Sequence, residues 1–66
     1  MTKFISVTEI TPEGEYLDVN INFTNIINIK LWDDGAVEIF TSIDGGRSYL
    51  VEDSYLELTA KLLDCH

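Results

Sequence analysis

Apolar and polar residues alternate along most of the chain, and three glycine-ended triplets interrupt the alternation: Pro12-Glu13-Gly14, Asp33-Asp34-Gly35 and Asp44-Gly45-Gly46. A period of two is the mark of half-buried strands. A triplet closed by Gly suits a hairpin in which a type I turn ends on a left-handed residue. Pro12 supplies the fixed φ of the first corner, and Gly14 takes a positive φ without steric cost.

Register follows from the alternation, because a slip of one residue moves every side chain to the opposite face. With Asp33 to Gly35 as the loop, Leu31 faces Val37, Ile29 faces Ile39 and Ile27 faces Thr41. Lys30 then meets Glu38 on the other face as a cross-strand charge pair. A loop of Asp34-Gly35 alone would set Leu31 against Glu38, so the longer loop is preferred. Treated the same way, the first triplet pairs Val7 with Val19 and Ile5 with Ile21. The third pairs Ile39 with Val51 and Thr41 with Tyr49, and brings Phe40 opposite Leu50 and Glu38 opposite Glu52.

These registers predict strands over roughly residues 3–11, 15–21, 26–32, 36–43 and 47–52. Between Asn20 and Asn25 no Gly or Pro marks a turn, which leaves the pairing of the second and third strands open. The period then changes. Ser54-Tyr55-Leu56-Glu57 matches a capping box, and Tyr55, Leu58 and Leu62 recur at helical spacing, predicting a helix over roughly residues 54–64. The expected fold is α+β in a single domain spanning residues 1–66: a five-stranded antiparallel β-meander, as a curled sheet or small open barrel, with one C-terminal helix.

A helix about 10 Å wide covers only two or three strands spaced ~4.8 Å apart. The remaining sheet is not purely polar on its second face, where Ile26, Trp32, Phe40 and Leu50 fall. Either the sheet curls into a small barrel that buries some of these four residues, or they are the candidate interaction surface that another chain covers. A chain of 66 residues also has a small core, since it buries only ~60% of its unfolded surface. Both points lead to the expectation of a protein partner, with a second copy of the chain as the first candidate.

Composition narrows the chemistry. Twelve Asp and Glu against four Lys and Arg give a net charge of −8, while a hydrophobic content of 45% is too high for a disordered acidic tail. The four cations, Lys3, Lys30, Arg47 and Lys61, form no run, which disfavours direct nucleic-acid binding. One Cys and one His exclude a disulfide framework and a zinc set. No long apolar run or leader pattern is present, so the chain is read as cytoplasmic, without membrane insertion. Gly45-Gly46 lies in a hairpin rather than at a strand-to-helix junction, so no phosphate loop is expected. His66 and Cys65 are terminal and are read as structurally neutral. No catalytic residue, metal site or cofactor is expected, and the chain reads as a non-enzyme.

The carboxylates themselves have an address. Asp33, Asp34 and Asp44 suit turns, and Glu52, Asp53 and Glu57 suit the positive end of a helix. Register gathers Asp33, Asp34, Glu38, Glu52 and Asp53 toward one end of the sheet as a candidate acidic patch.

Gly14, Val19-Asn20, Ile26 with Ile29, Gly35, Ile39, Gly45 or Gly46, and Tyr49-Leu50-Val51-Glu52 with Ser54 follow one another in an order that resembles the small FlbD-type flagellar proteins of bacteria. The resemblance runs from about Ile5 to Leu62. It implies a role tied to motility operons and no enzymatic activity. The chain departs from the family in its acidity and in Trp32 and Phe40. Two functional expectations stand together: a self-associating interaction module, and an acidic inhibitor, phage or mobile-element encoded, that mimics nucleic acid in a partner's basic groove.

Overall fold

The computed structural model describes residues 3–64; Cys65 and His66, read above as neutral, lie outside the described residues. Five strands form one antiparallel sheet: β1 (Phe4–Ile10), β2 (Tyr16–Asn22), β3 (Ile26–Leu31), β4 (Val37–Thr41) and β5 (Ser48–Val51). The chain ends in helix α1 (Tyr55–Asp64). This is the expected α+β fold.

The spatial order is β2-β1-β5-β4-β3. Strands β2 and β3 are consecutive in the chain yet occupy opposite edges. Only the short 3-10 turn Phe23–Asn25 joins them, so the sheet must curl until its edges approach at that end. The turn is tied to both sides. Phe23 N donates to Lys3 O at 2.9 Å, and Ser42 N donates to Asn25 O at 2.9 Å. Asn22 caps it by accepting from Thr24 N at 3.0 Å, which is why no Gly or Pro is needed there. The meander is therefore wrapped, with β1 against β5 and the gap between β2 and β3. The wrapping seam is narrow: Glu9 pairs with Val51, and Glu52 N donates to Thr8 O at 2.8 Å.

Two hairpins keep the expected register. Val7 pairs with Val19 and Ile5 with Ile21. Leu31 pairs with Val37, Ile29 with Ile39 and Lys30 with Glu38. Gly35 closes the second turn at φ +89°, donating to Trp32 O at 3.0 Å. At the start of β3 a bulge between Ile26 and Asn28 brings Ile26, rather than Ile27, opposite Thr41.

The β4–β5 hairpin differs from expectation. Ile39 faces Tyr49 and Val37 faces Val51, two residues displaced from the pairing of Ile39 with Val51. The extra loop length folds inward as the 3-10 turn Ile43–Gly45, with Asp44 at φ 51°. Thr41, 1% exposed, holds it: its hydroxyl donates to Arg47 O at 2.7 Å and accepts from Ile43 N at 3.3 Å. A buried hydroxyl satisfied twice costs little, and Ile43 packs against the core in return. A shift of two preserves the faces, so the apolar set stays inside.

The core lies on the concave side. Ile5, Val7, Ile21, Val37, Ile39, Tyr49 and Val51 pack with Leu58 of α1, and Leu62 joins from the next turn. Ser54 caps the helix, its hydroxyl accepting from Glu57 N at 3.1 Å. The opposite helical face, with Leu56 and Leu63, is exposed.

Candidate functional site

Because Val37, Ile39 and Thr41 point into the core, Glu38 and Phe40 point outward from β4, and Leu50 does the same from β5. Leu50 lies opposite Glu38, while Phe40 faces Ser48. The expected pairs Phe40 with Leu50 and Glu38 with Glu52 are lost to the two-residue shift. Trp32 follows β3 and is 41% exposed, and Leu50 is 46% exposed. Three of the four candidate interaction residues, Trp32, Phe40 and Leu50, thus share the convex face. Ile26 does not. The bulge turns it toward Thr41, and it packs against the core.

The indole organises this face. Trp32 Nε1 donates to Glu38 Oε1 at 3.1 Å, and the Lys30 ammonium stands 3.8 Å from the ring centroid. The cross-strand charge pair read from the sequence is thereby relayed through an aromatic ring, a cation–π contact on one side and a hydrogen bond at its edge. Beside the indole runs a shallow groove of about 450 Å³, lined by Trp32, Asp33, Asp34, Ala36, Glu38 and Leu50. Asp34 is held in place, its Oδ1 accepting from Ala36 N at 3.0 Å.

The candidate acidic patch divides. Asp33, Asp34 and Glu38 line that groove, whereas Glu52 and Asp53 line another hollow with Thr8 and Glu57. Asp53 is also committed internally. Its Oδ1 accepts from Thr8 N at 2.8 Å, its Oδ2 lies 3.3 Å from Lys61 Nζ, and its side chain is 11% exposed. Lys61 Nζ donates in addition to Ser6 O. Asp53 and Lys61 are thus a structural clamp between the start of the helix and β1. Nothing in the local sequence marks the tie to β1, since Thr8 and Asp53 lie 45 residues apart. The Lys30–Trp32 contact did carry a signal: two residues apart in the strand expected over residues 26–32, they share a face.

Among the described residues no group of three or more His, Cys, Asp and Glu is arranged to hold a metal ion, and no helix is long and apolar enough to cross a membrane. Compared with protein-family models, curated proteins and solved structures, the chain matches none.

Proposed function

We propose that this protein is a non-enzymatic, cytoplasmic interaction module that docks a protein partner on the convex face of β3, β4 and β5. The carrying observation is that Trp32, Phe40 and Leu50 converge there, with Trp32 and Leu50 about half exposed, on a face the chain's own helix does not cover. Exposed aromatic residues beside aliphatic ones are the usual anchors of protein interfaces. The residues shared with the FlbD-type pattern are in keeping with a non-catalytic role.

A photo-crosslinking residue in place of Leu50 tests the reading, with the same residue in place of Glu13 in the β1–β2 turn as control. Adducts formed in cells from position 50 and not from position 13 support it. Equal labelling from both positions, or none, removes it.

Self-association is a second reading, favoured by the free edges of β2 and β3, where Tyr16, Leu17, Ile27 and Leu31 are exposed. Unpaired edges are templates for another strand. Sedimentation equilibrium showing a dilution-sensitive dimer supports it, and a monomer at every concentration removes it. Mimicry of nucleic acid would need carboxylates along one continuous face. The inward commitment of Asp53 weakens that reading relative to docking.

A further inference from the structure

The groove beside Trp32 defines the chemistry that a partner docked on this face brings. Its lining combines apolar side chains, Trp32, Ala36 and Leu50, with anionic ones, Asp33, Asp34 and Glu38. Neither Lys nor Arg lines it. The indole is already a cation-accepting surface, because Lys30 occupies one side of it from outside the groove. The carboxylates are also oriented. Glu38 is held through Oε1 and Asp34 through Oδ1, and among the described residues nothing takes the second oxygen of either.

A second copy of the chain fits this groove poorly. At a net charge of −8 it would press carboxylates against carboxylates. A cation with an apolar stem fits both parts of this lining. Guanidinium suits better than ammonium, since it is planar, stacks on aromatic faces and offers paired donors to carboxylates. Resting on the docking reading above, we infer that the groove binds an arginine-bearing segment of a partner protein. The guanidinium lies against the Trp32 indole, Glu38 and Asp34 accept from it, and the side-chain stem covers Leu50.

The probe is a short capped glycine peptide bearing two arginines, with lysine and citrulline versions as controls. Binding is followed by amide chemical shifts and by the fluorescence of Trp32, the chain's one tryptophan. The expected result is saturable binding with shifts centred on Trp32, Glu38 and Leu50. Lysine should bind more weakly, and citrulline should lose binding. Glu38→Gln should weaken the arginine peptide by roughly tenfold while Glu13→Gln does not, with the far-ultraviolet circular dichroism of both variants unchanged.

Shifts spread over carboxylates throughout the chain, or equal losses in the two Gln variants, would mean general charge attraction and overturn the site. So would absence of saturation at millimolar peptide. Should the peptide fail while crosslinks from position 50 persist, the arginine assignment falls and the docking face stands. Failure of both removes both.

Discussion

The backbone amide of Thr8 donates to the carboxylate of Asp53 at 2.8 Å, joining the first strand to the residue that precedes the helix cap. This contact reinforces the narrow seam between β1 and β5, where Glu9 and Val51 pair. Asp53→Ala leaves the Thr8 amide without its acceptor in a part-buried place, which costs about 1–3 kcal/mol. Lys61 is 38% exposed at its side chain, so Lys61→Met is expected to cost less than about 1 kcal/mol. Urea unfolding of the two variants checks the order, and an Asp53→Ala midpoint equal to wild type would show that the seam holds without the clamp.

Leu58 is the point at which the helix enters the core, at 0% exposure. Leu58→Ala opens a cavity worth about 2–5 kcal/mol. Small domains have total stabilities of about 5–15 kcal/mol, so this variant should be largely unfolded at moderate urea where the wild type is folded. Ile39→Val at the middle of β4 should lose only about 1 kcal/mol. Thermal melts of both variants test the ranking.

Gly35 sits at φ +89° with nothing within 4 Å of where a Cβ would be. Gly35→Ala therefore loses stability through backbone strain alone, about 1–2 kcal/mol. Asp44 occupies the same left-handed region at φ 51° without being glycine. Asp44→Gly relieves that strain while loosening the unfolded chain, and the two effects should cancel to within about 1 kcal/mol. Paired denaturant titrations distinguish a costly Gly35→Ala from a near-neutral Asp44→Gly.

Trp32 is 41% exposed beside Asp33, Asp34 and Glu38. Acrylamide and caesium should both quench its emission efficiently, and iodide should quench it poorly at low salt. Raising the ionic strength should narrow the difference, because a Debye length of about 10 Å at 0.1 M screens exposed carboxylates. Equal quenching by iodide and caesium at low salt would show that these carboxylates do not dominate the field at the ring.

Two hairpins were legible because their determinants are local. The Pro12–Gly14 and Asp33–Gly35 turns carry their own φ requirements, and the flanking alternation admits a single register. The helix was legible for the same reason, through Ser54 and the spacing of Leu58 and Leu62. The β4–β5 register was displaced by two, since both alignments keep Ile39 and Tyr49 inside and alternation alone cannot separate them. What separated them was the seating of Ile43 and the buried Thr41 hydroxyl.

Alternation and turn chemistry along the chain thus determined the strands, two of three hairpins, the apolar face and the helix. Tertiary structure alone decided which edges stay open, because β1 meets β5 only when the sheet curls around its core. It also decided the fate of the carboxylates. Asp53 was drawn inward to Thr8 and Lys61, while Asp33, Asp34 and Glu38 were left around an exposed indole. The first outcome depends on Thr8, 45 residues from Asp53, a distance that no local pattern encodes; the second groups residues of one hairpin, and packing was needed only to bring Leu50 beside them.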